Sequence, residues 1–140
     1  MIKLAMRHAR AVDSHRDGDH ARPLTDEGRK VAEGMFAELA RRGLEPTRML
    51  VSSAARTRET AASGPECELR FLDELYNADA EAIAALVNRN SEETDGPIMV
   101  VAHNPGISAY AAISGVLAPA DVVVIDPDGR REHIRARAVA

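Results

Sequence analysis

Three short apolar runs, each halted by polar residues, constrain this chain more than any other feature of it. Residues 2–6 (Ile-Lys-Leu-Ala-Met) run into Arg7-His8. Met49-Leu50-Val51 run into Ser52-Ser53, with Arg56 and Arg58 just beyond. Residues 98–102 (Ile-Met-Val-Val-Ala) run into His103-Asn104. Apolar runs of this length, bounded by polar residues, read as buried strands. The segments between them carry the helical period. Thr25 is placed to cap a helix whose first turn holds Asp26 and Glu27, and Val31, Met35, Phe36 and Leu39 fall on one face of it. Gly43 ends that helix. Residues 54–62 are expected to be helical, as are residues 81–90, where Ile83, Leu86 and Val87 share a face. Asn104 is expected to cap a further helix that starts at Pro105 and continues through Ile107, Tyr110, Ala111 and Ser114. Residues 122–125 form a fourth strand. Asp126-Pro127-Asp128-Gly129 is a turn, and the basic tail from Arg130 returns as an edge strand.

Strands alternating with helices predict an α/β fold, a three-layer sandwich with a mostly parallel central sheet and helices on both faces. A length of 140 residues suits a single domain over 1–140. With aromatics at 3%, the core must be aliphatic. The formal net charge of -4 argues against a nucleic-acid partner, and no apolar run is long enough to cross a membrane. No secretory signal is visible. The one cysteine, Cys67, has no disulfide partner and lies between Glu66 and Glu68, which disfavour a thiolate. The expectation is a cytoplasmic monomer. An anionic ligand would need a local cluster of cations.

Such a cluster is what the strand ends supply. If the three strands are parallel neighbours, two histidines and at least two arginines meet at their carboxyl ends, where ligands bind in such sheets. Arginine offers phosphate oxygens a planar pair of donors. A neutral imidazole can attack phosphorus, and neighbouring arginines keep it neutral. No metal or organic cofactor is expected, since His15, Asp17, Asp19 and His20 fit no common zinc spacing. Ser52-Ser53 lacks the glycines of a nucleophile elbow. His15, His20 and His133 are expected to be exposed.

Five pieces in order complete the reading: Met6-Arg7-His8-Ala9; Arg22-Pro23-Leu24-Thr25-Asp26-Glu27-Gly28; residues 52–61 from Ser52 to Ala61; Glu74-Leu75-Tyr76; and residues 100–106 from Val100 to Gly106. With these the chain resembles the histidine phosphatase superfamily, and within it the SixA-type phosphohistidine phosphatases, over residues 1 to about 117. The resemblance implies a minimal phosphoglycerate mutase-like fold and hydrolysis of a phosphorylated protein (phosphohistidine) or of a small phosphomonoester. It implies His8 as the phosphorylated nucleophile, Arg7 and Arg56 as phosphate-binding arginines, His103 as the second histidine, and Arg22 at the rim. Asn104 is expected to contact substrate. Glu74 matches the general acid of the wider superfamily, with Asp19 as the alternative. The family usually has Gly where this chain has Ala102, a change that requires negative φ at that position.

Overall fold

Every second residue of a strand faces the same side of a sheet, and the apolar strands here use both sides. The computed structural model describes residues 1–138. Its elements run β1 (Lys3–Arg7), α1 (Asp26–Arg41), β2 (Arg48–Ser52), α2 (Ala55–Ala62), β3 (Glu68–Leu72), α3 (Ala80–Arg89), β4 (Ile98–Ala102), α4 (Gly106–Ala111), β5 (Val122–Ile125) and β6 (Arg131–Ile134). Single 3-10 turns occupy Asp19–Ala21, Asp73–Leu75 and Ala136–Ala138. Leu4, Met6, Met49, Val51, Met99 and Val101 pack on one side with Met35, Phe36 and Leu39 of α1. Ala5, Leu50, Val100 and Ala102 pack on the other with Ile83, Leu86 and Val87 of α3 and Ile107 of α4.

The sheet has six strands in the order β3-β2-β4-β1-β5-β6. β3, β2, β4 and β1 run parallel, β5 runs antiparallel to β1, and β6 antiparallel to β5. The three-layer α/β architecture expected from the sequence is therefore present, with β4 between β2 and β1. Register decides where the chemistry lands. Val101 of β4 lies opposite Met6 on one side and Val51 on the other, and Arg7 lies opposite Ala102. Three strands thus end at one level.

Three local expectations need correction. β3 has no counterpart among the predicted strands. It is a sheet edge with Leu69 and Phe71 about two-fifths exposed, so the inward-apolar pattern is missing. The Arg58 guanidinium covers Phe71 at 4.2 Å from the ring centroid. Second, α4 starts at Gly106, with Pro105 flanking it, and Asn104 is not its side-chain cap. The Asn104 amide is committed elsewhere, donating to the Leu117 carbonyl at 2.9 Å and accepting from Ser108 at 2.5 Å. Third, α4 stops at Ala111 because Ala112 turns left-handed (φ 53), so Ser114 lies outside it. Thr25 does cap α1, accepting from the Gly28 amide at 2.9 Å, and β6 is the expected edge strand. Ala102 is not among the residues with positive φ, so its methyl group brings no strain.

Gly106 shows how tightly the second layer closes. A β-carbon there would land on the backbone carbonyl of Ala78. Backbone cannot step aside as a side chain can, so Gly106→Ala is expected to cost about 2 kcal/mol or more. Urea unfolding is the measurement. A loss under about 0.5 kcal/mol, the scale of an ordinary surface substitution, would contradict this packing.

Candidate active site

The carboxyl ends of β1, β2 and β4 open into a cavity of about 370 Å³ lined by Arg7, His8, Arg22, Arg56, His103 and Asn104. Those are six of the seven residues singled out from the sequence. Arg10 and Asp13, which the sequence reading passed over, line it too. Glu74 does not. It is exposed on the 3-10 turn Asp73–Leu75, and among the described residues it makes no hydrogen bond or ion pair with the cluster.

His8 is fixed from three directions. Its amide donates to the Ala102 carbonyl at 3.2 Å, which ties it to β4. The following amide, of Ala9, donates to Thr60 Oγ1 of α2 at 3.0 Å. The ring Nδ1 lies 2.7 Å from the Ala9 carbonyl oxygen. A carbonyl only accepts, so Nδ1 carries the hydrogen and Nε2 keeps its lone pair. Burial, with Arg56, Arg7 and Arg22 nearby, lowers the His8 pKa to about 4, against the pull of the Ala9 hydrogen bond. The imidazole is neutral at pH 7.

His103 lies across the cavity, with its ring centroid 5.3 Å from that of His8. Its Nε2 is 2.7 Å from Ser52 Oγ. Burial first, then Arg56, lower its pKa to about 3. Ser52 is thus a positioning partner for a histidine, a role no local spacing announces.

Arg56 belongs to α2 but is held by a loop. Its Nη1 donates to the Asp19 carbonyl at 2.9 Å and its Nη2 to Asp19 Oδ2 at 3.1 Å. Asp19 also accepts from Arg22 Nε at 3.0 Å and from the Tyr76 hydroxyl at 2.5 Å. The Tyr76 hydrogen bond, then Arg56, hold this carboxyl well below the usual carboxylate range. Asp19 is an anionic clasp and holds no proton to donate. Tyr76 further packs edge-on to His103, with centroids 5.5 Å apart. The segment between α1 and the 3-10 turn at Asp19–Ala21 is anchored by Glu59, which accepts from the Leu24 amide at 3.0 Å. On the opposite side Arg7 Nη1 donates to the Leu117 carbonyl at 3.0 Å.

Among the described residues, three buried side-chain polar atoms lack a hydrogen-bond partner: Arg7 Nε, Arg56 Nε and His103 Nδ1. All three belong to residues lining this one cavity. Buried polar atoms are almost always paired, so three unpaired ones on residues of one cavity set this place apart from the rest of the described structure. No three His, Cys, Asp or Glu side chains gather as a metal site among the described residues. Of the remaining histidines, His15 and His20 are exposed as expected and His133 is not. His20 is exposed but bonds Ser53 Oγ at 3.0 Å, while His133 is half-buried and lies 2.8 Å from the buried Asp121 carboxylate.

No protein-family model matches the chain. A protein of Mycobacterium tuberculosis (strain ATCC 25618 / H37Rv), described as uncharacterized, is 30% identical over 123 residues, covering 86% of this chain and 77% of that protein. A solved structure assigned as the phosphohistidine phosphatase SixA of Agrobacterium tumefaciens superposes with a TM-score of 0.85 at 26% identity, covering 95% of this chain and 97% of that one. Another SixA assignment, from Nakamurella multipartitia, has a TM-score of 0.69 at 31% identity, covering 89% and 84%. The chain belongs to the histidine phosphatase superfamily, and its fold is that of the SixA-type members.

Two neutral buried imidazoles make stability depend on pH with a definite sign. Unfolded histidine takes a proton near pH 6.5, while His8 and His103 resist protonation until about 4 and about 3. Between those values the unfolded chain binds more protons, so stability falls as pH drops from 6.5 toward 4. The expected loss by pH 4.5 is about 2 kcal/mol for each histidine, read from urea unfolding at pH 7 and 4.5. His8→Gln and His103→Gln should each flatten the slope. A pH-independent midpoint over that range would contradict the buried neutral state.

Proposed function

We propose that the protein is a phosphatase acting through a phosphohistidine intermediate on His8, with phosphohistidine on another protein as its substrate. The observation that carries this reading is the meeting of a neutral His8, its Nε2 lone pair free, with two unpaired buried donors, Arg7 Nε and Arg56 Nε, and the unpaired Nδ1 of His103. A phosphoryl group has a phosphorus for the lone pair and equatorial oxygens for the donors.

The reaction then takes two displacements. His8 Nε2 forms a bond to phosphorus as the bond to the leaving group breaks. The developing imidazolium shares its Nδ1 hydrogen with the Ala9 carbonyl. Arg7, Arg56 and His103 hold the phosphoryl oxygens, with Arg22 at the rim and Asn104 in the cavity wall. Water then displaces His8, restoring the neutral ring and releasing inorganic phosphate. The guanidinium groups supply the positive charge a metal ion would otherwise bring.

The placement of the carboxylates supports phosphohistidine as the substrate. An alkoxide leaving group needs a strong, well-placed acid. Asp19 is held as an anion by Tyr76, Arg56 and Arg22, and Glu74 lies outside the cavity. A phosphorylated imidazole leaves more easily, because its other ring nitrogen already carries a proton. The open cavity also suits a side chain presented on a protein.

A phosphohistidine peptide is therefore expected to exceed the matching phosphoserine peptide in kcat/KM by about two decades, the range general-acid assistance spans. Side-by-side turnover assays measure this. Equal rates, or a phosphorylated small metabolite outpacing both peptides, would favour a metabolite phosphatase. Binding of phosphate without turnover of any substrate would reduce the protein to a phosphate-binding module.

A further inference from the structure

Beside the His8 cavity lies a larger one of about 630 Å³, and the two share Arg10 and Pro119 as a common wall. That wall is fixed to the catalytic strand. The Ala120 amide donates to the Arg7 and His8 carbonyls at 3.1 and 3.2 Å, so residues 117–121 lie across the end of β1. Anything that enters the larger cavity therefore sits next to the group that would be phosphorylated.

The lining has a consistent chemistry. Arg10, Arg135 and Arg137 are exposed and, among the described residues, take part in no ion pair. Asp121, at the floor, is buried and already satisfied by the Ala118 and Ala136 amides and by His133. Glu27 is the one exposed carboxylate of the lining. The lining also holds apolar side chains. Val31 and Pro119 are half-buried, and Val116 is 72% exposed, the most exposed large apolar side chain among the described residues. Three exposed arginines against one exposed carboxylate, on a chain of formal net charge -4, make this groove a local inversion of the overall charge.

We infer that this groove, lined by Arg10, Arg135 and Arg137 and by the apolar Val31, Val116 and Pro119, receives an acidic segment of the substrate protein carrying an apolar side chain, while the phosphorylated residue enters the adjoining His8 cavity. The inference rests on the proposal that the substrate is a phosphorylated protein. Charge complementarity selects the occupant. An acidic chain would be repelled by the molecule as a whole and attracted here, which orients it with its phosphoryl group toward His8.

The test uses three probes on the full chain: free phosphohistidine, a phosphohistidine peptide flanked by Asp and Glu around a Leu, and the same peptide with Lys in place of the acids. The wild-type protein is expected to prefer the acidic peptide by about tenfold in kcat/KM, chiefly through KM, with the preference fading as salt is raised. Arg135→Glu combined with Arg137→Glu should abolish or reverse that preference and leave turnover of free phosphohistidine unchanged, since neither residue lines the His8 cavity. Equal wild-type rates on both peptides would overturn the groove assignment, as would a double variant that keeps the acidic preference. Turnover of a small phosphomonoester with no turnover of any phosphohistidine probe would instead overturn the underlying substrate reading, and the groove assignment with it.

Discussion

The parallel, in-register pairing of β4 with β1 and β2 is the constraint on which the site depends. Hydrogen-bonded register is all-or-none, because a one-residue slip turns every side chain to the other face. With Val101 opposite both Met6 and Val51, the three strands end together, and the polar residues that follow them must share one space. Burying two histidines and Arg56, with Arg7 half-buried beside them, is unfavourable in itself. It is tolerated because the aliphatic layers on both sides of the sheet hold the strands in place, and because Arg7 and Arg56 are each hydrogen-bonded through part of the guanidinium.

That satisfaction explains the electrostatic pattern. Both imidazoles are pushed below their ordinary pKa, chiefly by burial and secondarily by the arginines. The arginines in turn are held by acceptors at the periphery: Asp19 for Arg56 and Arg22, Leu117 for Arg7. Arg7 and Arg56 are thereby held in place, the preorganisation that the proposed phosphoryl binding requires. The Ala9 carbonyl completes the arrangement by fixing the His8 tautomer, which leaves Nε2 as the only ring atom with a lone pair.

How much of this the sequence discloses depends on whether the cause is local. β1, β2 and β4 are buried on both faces, so they read as continuous apolar runs, and their Arg-His, Ser-Ser and His-Asn endings read with them. β3 shows no such run, because Leu69 and Phe71 face outward on an edge and depend on Arg58 for cover. The Asn104-Pro105 pair suggests a helix cap, yet contacts with Leu117 and Ser108 claim the amide. Asp19 is the clearest limit. Its partners Arg56 and Tyr76 lie 37 and 57 residues away in the chain, and no spacing rule could separate a clasp from a general acid. Glu74, singled out by placement in a motif, turns outward at a point where only tertiary structure decides direction.

The account stands on His8 as the atom-accepting group, so the most direct measurement is to trap the protein in the act. Brief incubation with a substrate carrying a labelled phosphoryl group, followed by rapid quenching and peptide mapping, reads which residue carries the label. The account predicts label on His8 alone, stable in alkali and lost in acid as a phosphoramidate should be, and no label in His8→Ala. Label on any other residue, or undiminished turnover by His8→Ala, would contradict it.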